Sequence, residues 1–287
     1  MDNSAANKLK AFAESLNIPF GFERSVKLQD RELFCNRFLI TFPLTSLGSH
    51  PVQPLTELGA SLGMPKVLQQ HISNYLMRAN IIHLGYEGNC ESPHRQQTTQ
   101  QTCKLYFEYA NGIGETSTST KSPAHPILVH RALKWDADNP NRQAITDYHW
   151  QPGYTIKQLQ EALLRVYGKP MAQASYRIVD NFIRLVLQRI NSDELQLLEV
   201  TEQGNPRLSF DLNVYDAQMR LGDIPEQLNE MKQNFKIDDA LWQQQILANA
   251  DKALGHLSGG LDRHGREFLT LYFGVEEMQG AINPCNL

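Results

Sequence analysis

The order of elements in this chain predicts an α+β fold in which about ten antiparallel strands close into a barrel surrounded by helix pairs. Three observations carry the prediction. Strand-like segments come in pairs, and helix-like pairs separate them at every step but one. Within the strands one parity is apolar; that face needs a cover, and each helix offers a single apolar stripe to supply it. The other parity carries cations, phenols and carboxylates, and a closed sheet of this size encloses a lumen wider than side chains alone fill. The 287 residues, 1–287, are read as one domain.

The elements follow in order. An amphipathic helix ends near Leu16, followed by the strand-like "PFGFERSVKL" and "NRFLITFPL". Helices are predicted over about Val52–Leu62 and Pro65–Ala79, with Pro65 in a first turn, where a missing N–H costs nothing. Strands "IIHLGYE" and "CKLYFEYA" come next, and a Ser/Thr/Gly-rich loop, Asn111–Ala124, stands where a helix pair is expected. After strands "ILVHRALKW" and "QAITDYHW", Thr155 and Gln158 form a capping-box start, with Gly168 and Pro170 as the stop. A second helix runs over about Ala172–Ile190. "LQLLEVTEQGNPRLSFDLNVYD" reads as two strands joined at Gln-Gly-Asn-Pro. Helices over about Ile224–Phe235 and Asp239–Leu254 precede a last hairpin, "GHLSGGLDRHGREFLTLYFGV".

Parity assigns the lumen. In "TCKLYFEYA", Cys103, Leu105, Phe107 and Tyr109 share one face, leaving Lys104, Tyr106 and Glu108 to point inward. "RLSFDLNVYD" leaves Arg207, Ser209, Asp211, Asn213 and Tyr215 opposite its apolar face, "REFLTLYFGV" leaves Tyr272, and "NRFLITF" leaves Arg37 and Thr41. In "ILVHRALKW" the phase is open: either His130 with Lys134, or Arg131, faces inward. A packed antiparallel sheet with one solvated face is the bland alternative, but solvated faces seldom favour Tyr together with isolated Arg and Lys.

Composition excludes several classes. A net charge of −4 and a pI near 6.1 argue against nucleic acid as a partner. No apolar run nears the roughly 18 residues of a spanning helix, and the N-terminal stretch lacks a signal pattern, so a cytoplasmic protein without membrane contact is expected; a monomer is expected as well. Cys35, Cys90, Cys103 and Cys285 show no CxxC spacing, and neither a zinc site nor an obligatory disulfide is expected. The glycines of "GHLSGGLDRHGRE" fit no phosphate-loop or dinucleotide spacing, and Asp262 to Gly265 reads as a hairpin turn.

With these elements in hand, the sequence resembles the soluble aromatic prenyltransferases of the α-β-β-α barrel type. It is most similar to the cyanobactin-type peptide prenyltransferases of natural product biosynthesis, through "NRFLITF", "HLGYEGN…CKLYFEY", "LLEVTEQGNPRLSFDLNVYD" and "REFLTLYFGV". The resemblance rests on element order across nearly the whole chain. It implies transfer of a dimethylallyl or geranyl group from an isoprenoid diphosphate to a peptide side chain, with Mg2+ as a diphosphate-bound helper; the carboxylates Glu87, Glu108 and Asp211 facing one lumen would suit an Arg guanidine, and Tyr, Trp, Ser/Thr and His stay open as acceptors. The family lacks the Asp-rich metal motif of other prenyltransferases, and Asp238-Asp239 here is followed by Ala, Leu and Trp.

Such chemistry needs cations for the diphosphate, aromatic faces for the allylic cation and a base for the acceptor's proton. The candidates are Arg37, Lys104, Lys134, Arg207 and Arg220 for the diphosphate, and Tyr106, Tyr215 and Tyr272 for the cation. Glu23, Glu108 and Asp211, with Glu87, are candidates for the base, and the family carries its catalytic carboxylate in the first strand, where Glu23 stands. The same wall would also suit a non-catalytic barrel that carries a hydrophobic or conjugated anionic ligand.

Overall fold

The computed structural model describes residues 4–88, 101–109, 126–168, 174–192 and 194–280. Its strands are β1 (Phe20–Gln29), β2 (Glu32–Phe34), β3 (Arg37–Pro43), β4 (Ile81–Glu87), β5 (Thr102–Glu108), β6 (Ile127–Asp136), β7 (Gln143–Trp150), β8 (Gln196–Glu202), β9 (Asn205–Asn213), β10 (Leu254–Leu261) and β11 (Glu267–Met278). All pair antiparallel in sequence order, and β11 returns to pair with β1 from Phe20↔Met278 to Leu28↔Leu269. β2 and β3 pair with different halves of β1, so they act as one strand broken at Cys35 and Asn36. The sheet is therefore a closed barrel of ten antiparallel strands, as the element order predicts.

The outward faces are buried by helices. α1 (Ala5–Ser15), α2 (Val52–Ser61), α3 (Lys66–Gln69) and α4 (Ile72–Leu76) cover one side, where Leu9, Leu55, Leu68 and Ile72 meet Phe38, Ile40, Phe42, Ile82, Leu84, Leu105 and Phe107. α5 (Ile156–Tyr167), α6 (Ala174–Val186), α7 (Pro225–Phe235) and α8 (Asp239–Gln245) cover the other, packing Leu163, Phe182, Met231 and Trp242 with Phe210, Leu212, Leu257, Leu269 and Leu271. Each such side chain contributes about 1.5–3 kcal/mol by leaving water. Thr155 and Gln158 form the expected capping box of α5, and Pro225 takes the first turn of α7. Asp238, the first residue of the Asp-Asp pair, caps α8 by accepting from the N–H groups of Ala240 and Leu241 at 3.0 and 3.1 Å.

Three predicted helices are shorter than their sequence stripes. The segment expected as Pro65–Ala79 breaks between α3 and α4 at Gln70 and His71, and α6 ends at Val186. The helix expected to reach Leu254 stops at Gln245, because Leu254 is needed as the first residue of β10. The Asn111–Ala124 loop lies outside the described residues. Among the described residues, no helix is long and apolar enough to cross a membrane.

Register settles the parity. Lys104, Tyr106 and Glu108 share the inward face of β5, while Leu105 and Phe107 lie fully buried under helices. The open phase of β6 resolves to His130 and Lys134 inward. Arg131 points outward, gripping Asp147 at 2.6 and 2.8 Å with its guanidinium 4.8 Å from the Tyr75 ring centre.

Candidate active site

The lumen holds a cavity of about 750 Å³ whose lining includes eight Lys and Arg side chains against six Asp and Glu, an excess of positive charge in a chain whose net charge is −4. The cations gather toward one end. Arg37, Glu87, Lys104 and Lys134 follow one another across β3, β4, β5 and β6 because their strands pair in register, Arg37↔Glu87, Gly85↔Lys104 and Lys104↔Lys134. Glu87 is the anion they share: it pairs with Arg37, with Lys104 at 3.1 Å and with Lys27 at 3.3 Å. Burial alone would raise its pKa, but the three cations hold it well below the usual carboxylate range. Burial pushes the opposite way on the ammoniums. Desolvation brings Lys104 down to about 8 against the pull of Glu87, and brings Lys134, with Lys104 and Arg207 nearby, down to about 7. Arg207 pairs with Glu202 at 3.1 Å and donates to the Leu261 carbonyl at 3.2 Å. An arriving anion would find more positive charge here than the carboxylates cancel.

A belt of phenols crosses the middle. Tyr106, Tyr148 and Tyr272 come from β5, β7 and β11, and each has an imidazole edge-on or tilted against it: His83 at 6.2 Å, His130 at 5.8 Å and His256 at 5.8 Å between ring centres. Tyr106 and Tyr148 rings lie 5.9 Å apart. Burial raises all three phenol pKa values, Tyr272 to about 12, so the rings stay neutral and present negative π faces. Beside them Ala132, Tyr148, Trp150, Leu198 and Val200 form an apolar wall on β6, β7 and β8.

Beyond the belt the chemistry inverts. Glu23 is buried and accepts from Tyr215 Oη at 2.6 Å, and His256 Nδ1 donates to Asp211 at 2.7 Å. Burial raises the Glu23 pKa, only partly offset by His256 and by the phenol's hydrogen bond. Burial opposes charge on His256, yet Asp211, Glu23 and Glu108 together raise its pKa. His256 shares the inward parity of Ser258, and the bulge in β10 between Leu254 and His256 lets Leu254 keep the outward face with Leu257. Gly255 leaves room for the Glu23–Tyr215 contact, because a Cβ there would press on Glu23 Oε1 and stand 2.6 Å from Tyr215 Oη. On the facing strands His83 Nε2 lies 2.7 Å from Glu108 Oε2, and its Nδ1 lies 2.8 Å from Thr41 Oγ1. Burial would raise the Glu108 pKa, but His83 and His130 lower it. This end holds carboxylates and imidazoles that can take or give a proton at a site largely closed to water.

Comparison with solved structures gives the architecture its kin. Prenyltransferase PriB in binary complex with its product diphosphate matches with a TM-score of 0.58 at 14% identity, over 88% of this chain and 79% of that one. 5-Dimethylallyltryptophan synthase from Streptomyces coelicolor matches at 0.55 and 11% identity, over 88% and 80%. 6-Dimethylallyltryptophan synthase from Micromonospora olivasterospora, in complex with DMASPP and Trp, matches at 0.56 and 12% identity, over 88% and 81%. The fold is that of the prenyltransferase barrel. At these identities the likeness is one of fold. No family model matches the sequence, and no curated protein matches it.

Within this prenyltransferase barrel most of the residues singled out by sequence face one lumen. Arg37, Lys104, Lys134, Arg207, Tyr106, Tyr272 and Asp211 line the cavity, and Glu23 and Glu108 lie on the same inward faces. Arg220 does not join them. The chain leaves the barrel after Asn213, and Arg220 is exposed, its N–H capped by Asp223 at 3.1 Å and its backbone bridged to Ala253. Tyr215 is no strand residue either: it opens a short 3-10 turn and reaches Glu23 from there, with its ring 5.3 Å from His256 and outside the phenol belt. Tyr148 takes the third place in that belt. Sequence reasoning also missed Lys27 and the pairing of His256 with Asp211. The parity of "FERSVKLQ" places Lys27 with Glu23 and would have found it.

Proposed function

We propose that this chain is a prenyltransferase that moves a dimethylallyl or geranyl group from its diphosphate to a side chain of a peptide, as cyanobactin-type enzymes do. The observation that carries the reading is the sorting of the lumen along its axis into cations, phenols and proton-accepting groups. Lys27, Arg37, Lys104, Lys134 and Arg207 would receive the diphosphate. As the allylic C–O bond breaks, its electron pair leaves with the diphosphate, and the cations stabilise that charge where it develops. The allylic cation stays under Tyr106, Tyr148 and Tyr272, whose π faces attract it, while the wall of Ala132, Leu198 and Val200 beds the chain and excludes water. The acceptor's nucleophile forms the new bond from the far side, and its proton passes to Glu23 or to Asp211 through His256.

The carboxylates of the cationic end are already engaged: Glu87 by three cations, Glu202 by Arg207 and Arg263, Asp262 by Arg266. A Mg2+ ion there would be held chiefly by the donor's own oxygens, and its chemistry would be further neutralisation of the leaving group.

Glu23, Glu108 and Asp211 are more carboxylates than one proton transfer requires, which favours an acceptor that is itself basic, such as an Arg guanidine, over an indole or phenol. The test is incubation with dimethylallyl and geranyl diphosphates and matched peptides carrying Arg, Tyr, Trp or Ser, read by the mass increment. Prenylation of the Arg peptide is expected. Modification of Tyr or Trp with Arg untouched rejects the guanidine, modification of free aromatics alone rejects the peptide, and donor binding without any transfer leaves a carrier barrel.

A further inference from the structure

We propose that His83, Glu108 and His130 form a binding site for one divalent transition-metal ion, of the zinc, cobalt or nickel class, at the end of the lumen away from the cations. His83, Glu108 and His130 each bring one ligand atom within 4.8 Å of the other two, His83 Nε2 lying 2.7 Å and His130 Nδ1 3.8 Å from Glu108 Oε2, and among the described residues they are the one such group of three His, Cys, Asp or Glu side chains. They stand on three successive strands, β4, β5 and β6, whose register sets Ile81 opposite Glu108 and Glu108 opposite His130, so the backbone fixes the set in place. An ion of this class takes its donors at about 2.0–2.2 Å, and small rotations of the imidazoles bring all three atoms onto one centre.

Two features distinguish this set from an ordinary hydrogen-bonded cluster. His130 Nδ1 is sealed from solvent and makes no hydrogen bond, standing 3.8 Å from Glu108 Oε2. His83 is oriented from behind: Thr41 Oγ1 contacts Nδ1 at 2.8 Å and leaves Nε2 aimed at Glu108. A hydroxyl serves either tautomer of the ring. It donates to Nδ1 while Nε2 carries the proton, and accepts from Nδ1–H once Nε2 has become a metal ligand. Binding thus moves one proton within the His83 ring and frees Glu108 to ligate.

Two imidazoles and one carboxylate are the donor chemistry of zinc-class ions, whereas Mg2+ and Ca2+ prefer all-oxygen shells. Three protein ligands also leave a coordination position open toward the lumen, where Tyr106 and Tyr148 stand against His83 and His130.

The site needs neither prenyl donor nor acceptor, so its test is independent of the transferase reading. Chelator-stripped full-length protein is titrated with Co2+, following the visible d–d bands, and with Zn2+ by calorimetry. One ion per chain is expected, with low-symmetry Co2+ bands. Glu108→Gln, nearly isosteric, and His130→Ala should each weaken binding by about tenfold or more, and Thr41→Val by about tenfold. His256→Ala, the lumen imidazole outside the set, should bind as the parent does. Circular dichroism identifies any variant that fails to fold, and Glu108→Gln and Thr41→Val keep the side-chain volume. Absence of stoichiometric Co2+ uptake, unchanged affinity in folded Glu108→Gln and His130→Ala, or an equal loss in His256→Ala would each overturn the proposal.

Discussion

The two ends of the lumen are built from the same strands and differ in how charge is settled. Toward one end a single carboxylate, Glu87, is shared by Lys27, Arg37 and Lys104, so positive charge is in surplus. Beyond the belt each carboxylate has its own partner, two imidazoles and one phenol: His83 with Glu108, His256 with Asp211, Tyr215 with Glu23. The first arrangement waits for an anion. The second waits for a proton or a cation. The belt of Tyr106, Tyr148 and Tyr272 keeps the two from neutralising each other, and it can do so because buried phenols stay un-ionised.

The sharpest way to break this contrast is to disable one end and watch the other. Glu23→Gln keeps the contact with Tyr215 but removes the anion. Under the proposed reaction, turnover should fall about 10²- to 10⁴-fold, with donor affinity unchanged by calorimetry. Weakened donor binding instead would mean that the two ends are not separate. At the other end, Lys104→Ala removes a charge-assisted contact worth roughly 1.5–3 kcal/mol, so donor affinity should drop about ten- to a hundredfold. If it holds, the diphosphate lies elsewhere.

A pH titration sharpens the comparison further. The Lys134 pKa is lowered to about 7 by burial and by its cationic neighbours, so the ammonium is the dominant form below pH 7 and is lost as pH rises. The protonated form binds an anion better. Donor affinity should therefore weaken by about tenfold between pH 6 and pH 8, the consequence of one required proton near neutrality. Lys134→Arg, whose guanidinium does not titrate, should flatten that dependence while the donor's own ionisation stays common to both proteins. Equal slopes in the two would remove Lys134 from the donor site. The smallest effect is expected in the belt. Tyr272→Phe retains the π face and should leave the transfer rate within about threefold, whereas Tyr272→Leu should slow it by about three- to thirtyfold, the range of a lost cation–π contact. Equal rates for Phe and Leu would reduce the belt to packing.

How much of this was legible in the sequence depended on how cleanly a strand separates its faces. β5, β9 and β11 put nearly every apolar residue outward, so Lys104, Tyr106, Asp211 and Tyr272 could be assigned by counting alone. β7 could not be read so. Its outward parity holds Asp147, held by Arg131 on the barrel's outer side, and its inward parity holds Trp150 within an apolar wall, so neither face looks greasy and Tyr148 goes unnoticed. Tyr215 joins the wall only if alternation is extended past Asn213, where the backbone turns and parity loses its meaning, and Arg220 stands on no strand whose parity could place it. His256 alternates with the outward Leu257, but Gly255, Gly259 and Gly260 leave its strand with little contrast between faces.

Closure of the barrel by β1 against β11 has a consequence in time. The two strands are joined by hydrogen bonds from Phe20 to Met278, nearly the whole length of the chain apart. During synthesis every other neighbour pair in the sheet can zip as soon as its second strand emerges, but the free edge of β1 has to wait until the last strand leaves the ribosome. Ring closure over so long a segment is entropically the dearest contact in the molecule and forms last. Until then the nascent protein is an open, curling sheet with two unpaired edges, that of β1 and that of the newest strand, and that interval is when a neighbouring chain could add a strand of its own.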